Sequence, residues 1–448
     1  MLSCYTKKGT TQKRLLETDK KGRYRIMDKV KIILVGAGGR GSTYVNEGKK
    51  HCPEMELVAV ADPNPIRRDY IKENFDLPEE CFYEYGEDLL DQPKMADAAI
   101  IATQDRDHFR LAMKAIEKGY HLLLEKPAAP TPEECVAIEK AAKEKGVMVL
   151  VCHVLRYTPF FTLIKKLLNE GRVGKIMNIV HIEAVGDLHY THSYVRGDWH
   201  KTSDSAPMIL SKSCHDIDII QWLMGETCKK VQSFGSLNYF CAKNKPADAP
   251  EFCNQGCPHE EECPYSAIKL YRQRQVAWFA RHATKMRNPS EEDIEKLISE
   301  TMYGRCVFGC DNDVVDQQVV NMEYESGATA SFVMSVFNEG GRRIRIMGTK
   351  GELEARMGQD VVSVYDFTTR KREEFSIRNF VADESIEGGH GGGDAGIIRA
   401  FCQLMTGKYK GYAIADISES VENHLVAFAA EESRLSDKVV FMEEYKKI

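Results

Sequence analysis

From Val30 the chain alternates short, almost uninterrupted apolar runs with longer segments whose apolar residues recur at helical spacing. VKIILV opens the series and leads through a glycine-rich turn into a helix to about Lys50. LVAVAD precedes a helix around Ile66 to Asn74, and DAAIIAT precedes one near His108 to Lys118. HLLLEK, a helix from Pro132 to Lys145, and VMVLVC complete the rhythm. Strands that are apolar on both faces belong in a parallel sheet covered by helices, so residues 28–151 read as a doubly wound α/β domain of the Rossmann type. Beyond about Cys152 the pattern changes. After a helix from Pro159 to Glu170, the segments IMNIVHIEAVG, KKVQSFGSLNYF, DQQVVNMEYESG, ATASFVMSVF, RRIRIMGT and DVVSVYDF alternate polar and apolar residues. Period-two segments joined by glycine-containing turns predict a large, mostly antiparallel sheet with one buried face, an α+β second domain over residues 152–448. Residues 1–27 are polar and basic without a signal-peptide core, and read as a flexible extension, with Met27 a candidate natural start.

Composition alters this picture at one place. The 448 residues suit two or three domains. The 61 Lys and Arg against 67 Asp and Glu give a formal charge of -6, so no basic field points to nucleic acid. No apolar run approaches the roughly 20 residues a membrane helix needs, which leaves a cytoplasmic protein with neither nucleic-acid nor membrane partners as the expectation. The outlier is 14 cysteines, six of which (Cys241, Cys253, Cys257, Cys263, Cys306, Cys310) crowd one segment, read as an insertion over about 241–310. Without a secretory signal, clustered thiols indicate metal or redox chemistry before disulfides.

Gly36, Gly38 and Gly41 form GxGxxG in GAGGRG, after a strand and opening a helix, and Asp62 ends the next strand about twenty residues later. Gly36 permits the tight turn, Gly38 a close pyrophosphate, and Gly41 close helix packing, with Gly39 and Arg40 completing the loop. Asp62 would accept hydrogen bonds from the adenosine ribose and repel a 2′-phosphate, favouring NAD over NADP; Arg67 and Arg68 weaken that preference.

Taken together, GAGGRG, the strand end Ala61 and Asp62, IIATQDRDH and LLLEKPAAPT resemble the Gfo/Idh/MocA oxidoreductases, from about Val30 to the C-terminus. The resemblance implies a nicotinamide-binding Rossmann domain joined to an open-sheet substrate domain, and hydride transfer at a carbinol of a sugar, sugar derivative or cyclitol. It places Glu125 near the nicotinamide ribose, Lys126 at the reacting oxygen, and Thr103 and His108 along the cofactor edge. Gln104 stands where the family commonly has proline. SKSCHDIDIIQWLMG resembles the family's HxxDxxxWLxG pattern, making His215 the acid/base candidate. Ser211 replaces the aspartate many members carry, so either Lys212 takes a substrate or relay role, or Asp216 or Asp218 orients His215. The resemblance also implies a homodimer or homotetramer.

His153, Arg156 and Tyr157, with His192, Tyr194, Arg196, Trp199 and His200 in HYTHSYVRGDWHKT, are loop residues suited to stacking on and hydrogen bonding a polyhydroxylated ring. HGGGD at His390 to Asp394 reads as a turn bordering the active site. The cysteine spacings favour one structural zinc held by Cys253, Cys257, Cys263 and Cys306, with Cys310 and Cys241 as alternates and an iron–sulfur cluster as the competing assignment. Two other functions stay open: a glycosidase that recycles bound NAD through transient oxidation and elimination, and a non-catalytic nucleotide-binding regulator.

Overall fold

A computed structural model describes residues 28–273, 277–380 and 389–447. The candidate start at Met27 and the N-terminal extension lie outside the described residues. The described chain forms two compact units, one running to Lys166 and resuming at Ile377–His424, the other comprising Leu167–Ser376 and the residues from Leu425 onward. The division is therefore not a single cut near residue 152, because the segment after Ser376 returns to the first unit.

In the first unit, β1 (Val30–Val35), β2 (Met55–Ala61), β3 (Phe82–Tyr83), β4 (Ala98–Ile101), β5 (His121–Leu124) and β6 (Val149–Val151) form one sheet in the order β3-β2-β1-β4-β5-β6. Every pairing is parallel. Ile32, Ile33, Leu34 and Val35 are wholly buried, as are the four residues of β4 and Leu122, Leu123 and Leu124 of β5, which is why these strands read as continuous apolar runs. Thr131 caps the helix Pro132–Lys145 by accepting the Glu134 N–H, and Gly146 ends it in the left-handed conformation. The helix Gly393–Met405 supplies Ile397, Ile398, Phe401 and Cys402 to the same core.

The second unit holds a nine-stranded sheet. Its strands are β7 (Ile176–Ala184), β8 (Cys228–Ser236), β9 (Gln317–Tyr324), β10 (Thr329–Ser335), β11 (Gly341–Gly348), β12 (Gly351–Arg356), β13 (Val361–Asp366), β14 (Arg372–Ser376) and β15 (Val440–Phe441). They lie in the order β14-β13-β12-β11-β7-β10-β9-β8-β15, antiparallel except for β7 beside β10. Alternation places Gln318, Val320, Met322 and Tyr324 of β9 and Ala330, Phe332 and Met334 of β10 on the buried face. Expected strands at β7, β9, β10, β11 and β13 are present; β8 stops at Ser236, and β12, β14 and the two-residue β3 and β15 are additions. Between β8 and β9, the inserted residues gather a small core of their own: Ala267, Leu270, Tyr271, Phe279, Leu297, Ile298 and Tyr303.

The glycine loop after β1 is constrained by backbone. Gly36 has φ +91°, and a β-carbon there would lie 2.5 Å from the Ala102 carbonyl oxygen; one on Gly41 would lie 1.9 Å from the Gly36 carbonyl oxygen. At Gly39 no atom lies within 4 Å of that position. Gly41→Ala is expected to cost about 1–3 kcal/mol through backbone displacement, whereas Gly39→Ala should leave stability unchanged. Urea denaturation of both variants checks this, and equal midpoints would refute it.

Candidate functional site

In the first sheet β1 lies between β2 and β4, so the chain leaves this point in opposite directions and opens a crevice at the carboxyl ends of the strands. Asp62, just past β2, is buried; its carboxylate accepts the Ala37 N–H at 2.8 Å and the Asn64 N–H at 2.9 Å. Arg67 Nη1 lies 3.5 Å from the same carboxylate and 3.4 Å from the β-carbon position of Gly38. A buried carboxylate and a guanidinium thus stand side by side next to the glycine loop.

Arg40, the loop residue after Gly39, organises the next part. Its guanidinium donates to Glu125 Oε1 at 2.9 Å, to Asp394 Oδ1 at 2.7 Å and to the Tyr44 hydroxyl at 2.6 Å, while the Tyr44 hydroxyl donates to Glu125 at 2.5 Å. The other oxygen of Glu125 accepts the Lys126 N–H at 2.8 Å. Burial alone would raise the Glu125 pKa, but the charges of Arg40 and Lys126 and the Tyr44 hydrogen bond outweigh it and hold the carboxyl below its usual range. Asp394 behaves likewise: hydrogen bonds from His390 and Arg40 overcome burial and keep it strongly acidic. The HGGGD loop therefore delivers Asp394 to Arg40.

His108 is fully buried, with Nδ1 2.7 Å from the Pro127 carbonyl and Nε2 3.3 Å from the Thr103 carbonyl. A carbonyl only accepts, so the shorter contact places the proton on Nδ1, and the ring staples the turn after β4 to the one after β5. The Thr103 hydroxyl is buried and makes no hydrogen bond among the described residues. A buried orphan hydroxyl beside an open glycine loop and a fixed ribose acceptor fits a dinucleotide.

Three residues expected to face substrate have structural partners here. Arg156 pairs with Glu419 at 2.6 Å and donates to the Ile414 carbonyl at 3.0 Å, and the Tyr157 hydroxyl accepts the Ala415 N–H at 3.2 Å. Together they fasten residues 414–419. His153 is buried with its ring 5.5 Å from that of His424, and burial followed by the Arg156 charge holds it neutral, well below the ordinary histidine pKa.

The second unit carries His215 on the helix Cys214–Met224, all eleven residues of which are buried. Asp216 faces a polar cluster that sequence reasoning missed: it accepts from His181 Nε2 at 2.7 Å and from Arg342 at 2.8 and 3.2 Å. The Arg342 Nε is also 2.8 Å from Glu183 Oε2. One N–H cannot serve both acids; it bonds Asp216 together with Nη2, so Asp216 receives the bidentate contact and Glu183 only proximity. Burial would raise both, but Arg342 and His181 drive Asp216 well below the carboxylate range, while for Glu183 burial prevails and its pKa rises. Lys212 Nζ lies 3.4 Å from Glu183 and 3.5 Å from His189 Nδ1. Asp216, one of the acids considered for orienting His215, is thus engaged by His181 and Arg342, and Lys212 lies beside Glu183 of β7; alternation alone reads these as ordinary buried positions.

Arg196, fully buried, donates to the carbonyls of Arg305 at 2.8 Å and Tyr265 at 2.9 Å, tying its turn to the insertion. Tyr194 is buried and stacks on Tyr190, and Trp199 stacks on His282 at 5.6 Å. Cys253, Cys257, Cys263 and Cys306 do come together, lining one concavity with Arg196. They are free cysteines, however, and among the described residues no group of three or more His, Cys, Asp or Glu side chains is arranged to hold a metal ion. The expected zinc, and with it the iron–sulfur alternative, is not supported. The sulfurs serve other contacts: Cys253 Sγ accepts the Ala267 N–H at 3.4 Å, Cys310 Sγ donates to the Cys306 carbonyl at 3.4 Å, and burial keeps Cys263 above the usual thiol pKa.

A parallel 3-2-1-4-5-6 sheet with this glycine loop, joined to a mostly antiparallel open sheet, defines a nicotinamide-dinucleotide oxidoreductase fold. The chain belongs to the Gfo/Idh/MocA oxidoreductase family: the family model described as an NAD-binding Rossmann fold matches residues 30–153, and that for the C-terminal alpha/beta domain matches residues 165–442. It is 26% identical over 361 residues to the putative oxidoreductase YteT of Bacillus subtilis (strain 168), covering 76% of this chain and 80% of that protein. It is 29% identical to the 2,7-anhydro-N-acetylneuraminate hydratase of Escherichia coli (strain K12), covering 45% of this chain and 51% of that one. It is 28% identical to inositol 2-dehydrogenase 4 of Saccharopolyspora erythraea, covering 45% and 56%. The chain thus spans about half the length of the latter two relatives. The solved structure of levoglucosan dehydrogenase, in complex with NADH and levoglucosan, shares the fold at a TM-score of 0.67 and 18% identity, over 92% of this chain and 99% of that one.

Breaking the better-paired acid of the buried cluster should cost more than breaking the other. Asp216→Asn is expected to destabilise by up to about 3–5 kcal/mol at pH 7, because Arg342 keeps only Glu183 and His181 loses its carboxylate partner, and Glu183→Gln by less. The signs follow linkage. The depressed Asp216 contributes stability above its unfolded pKa that is lost as pH falls through its folded value. Glu183, raised by burial, loses stability as pH climbs through its folded value, so Glu183→Gln should flatten that decline. Urea titrations at several pH values measure both, and equal costs would overturn the assignment.

Proposed function

We propose that this protein is an NAD-dependent dehydrogenase acting on a carbinol of a sugar, sugar derivative or cyclitol. The observation that carries the reading is the Arg40 cage: it fixes the ionised Glu125 against the Lys126 backbone at the end of β5, in the same crevice as the glycine loop, Asp62 and the orphan Thr103 hydroxyl. The names of its relatives, inositol dehydrogenase and levoglucosan dehydrogenase, support the substrate class.

Gly38 and Gly39 leave room for the pyrophosphate, Gly36 and Gly41 let the backbone turn and pack there, and the helix Gly39–His51 points its N-terminus at it. Asp62 takes the ribose hydroxyls and favours NAD over NADP, opposed by Arg67 alongside. Nicotinamide supplies the hydride acceptor when bound. Lys126 stabilises negative charge developing on the substrate oxygen and His215 takes or returns the hydroxyl proton, with Lys212 binding a neighbouring hydroxyl. A homodimer or homotetramer is part of this proposal, checked by light scattering.

A screen of sugars, cyclitols and glycosides for NAD reduction tests the reading. At least one should yield NADH, and Lys126→Met should lower kcat by about 10²–10⁴-fold with NADH affinity unchanged. The hydratase relative favours a second reading, NAD-recycling glycoside cleavage; sugar release without NADH would select it. Intact NADH binding with neither reaction would leave the non-catalytic regulator.

A further inference from the structure

The helix Ala277–Thr284 lies in the insertion and places Trp278 where nearly half of it, 46%, stays exposed. The insertion's own core is closed without it, by Tyr271, Phe279, Leu297, Ile298 and Tyr303. Trp278 is nevertheless well supported: its ring is 4.1 Å from Phe279 and meets His189 and His192 edge-on at 5.4 and 5.3 Å. An exposed indole held on a rigid base offers a face on which the apolar side of a ligand can stack.

Its neighbours identify the ligand's chemistry. His189 and His192 are both held neutral, chiefly by burial, with Lys212 adding to the effect on His189 and His282 on His192. His192 Nε2 lies 3.1 Å from His282 Nδ1, and His282 is partly exposed and stacked on Trp199. On the other side of His189, at 3.5 Å, is the Lys212 ammonium, three residues before His215. His192 itself is buried, with Nδ1 2.8 Å from the Tyr271 hydroxyl, and the surface is made by Trp278, His282 and Trp199. A partly exposed aromatic surface with one ammonium nearby matches a pyranose ring, with an apolar C–H face and a rim of hydroxyls. His189 contacts both Trp278 and Lys212, so a ligand of two rings has the size to reach from one to the other.

We propose that the insertion builds a second sugar-ring subsite floored by Trp278, so that glycosides of two or more rings are preferred to free monosaccharides and cyclitols. This rests on the carbohydrate reading above. The test is calorimetric titration of the NAD-saturated full chain with cellobiose, maltose, lactose, melibiose and N,N′-diacetylchitobiose. Each is compared with the methyl glycoside of its non-reducing sugar.

At least one disaccharide should bind about tenfold tighter than its methyl glycoside. Trp278→Ala should erase that ratio and Trp278→Phe keep most of it, with NADH affinity unchanged in both. If no pair separates, or Trp278→Ala keeps the ratio, the subsite is rejected. NAD reduction on the same ligands separates the two proposals. Trp278-dependent binding without NADH formation rejects the dehydrogenase and keeps the subsite. NADH formation with a ratio indifferent to Trp278 does the reverse.

Discussion

The Arg40 guanidinium is the contact on which the first unit's site depends. It brings one positive charge against two buried acids, Glu125 and Asp394, and a tyrosine hydroxyl that hands its own proton to Glu125. Each acid alone would be driven towards its neutral form by burial, and the cation keeps both ionised. The ionised Glu125 can then accept the Lys126 N–H, which fixes the backbone that carries the lysine. Arg40 is itself held by the glycine loop, so the geometry of the phosphate cradle and that of the lysine turn are set by one group. The positive-φ residues His390, Gly391 and Gly392 have a use in this light, since they bend the chain so that Asp394 reaches Arg40 at the start of its helix.

The second unit solves a similar electrostatic problem with the charges distributed differently. Arg342 on β11 and His181 on β7 both bond Asp216, and the single Nε proton leaves Glu183 the weaker acid beside Lys212. Unequal sharing of one donor between two buried carboxylates pushes their pKa values apart, an arrangement typical of sites that hold or move a proton. The cross-strand register of β11 with β7 sets it up, because Arg342 lies opposite Glu183. No local stretch of sequence contains that pairing.

Much of the fold was legible from periodicity. Continuous runs such as Ile32 to Val35 gave the parallel sheet, and the alternation in Gln317 to Tyr324 gave the open sheet, since burial on two faces or on one leaves a different mark on the chain. The glycine loop and Asp62 were legible because backbone clearance demands glycine there. Arg156, Tyr157 and Arg196 were chosen as substrate ligands for their chemistry, and that chemistry serves equally well to satisfy backbone groups of segments distant in sequence, carbonyls for the two arginines and the Ala415 N–H for Tyr157. Glu183, Arg342, His189 and Trp278 escaped notice because each lies in a segment whose pattern explains it as strand or helix. The return of residues 377–424 to the first unit was likewise invisible, since the helix Gly393–Met405 has an apolar stripe that any core could accept.

The cysteines show why residue type and spacing misjudge a thiol. Burial keeps Cys263 above the usual thiol pKa and pushes Cys310 up to about 11, despite the charge of Arg196 nearby. A protonated thiol is a small apolar group with a weak donor, and these sulfurs act as such, in contact with the Cys306 carbonyl and with the amide of Ala267. Arg196 does the fastening that the metal was invoked for, with two carbonyl contacts from a fully buried guanidinium. What then holds the insertion's shape is a cation satisfied by backbone oxygen and a core of seven buried side chains, which together fix the helix that presents Trp278.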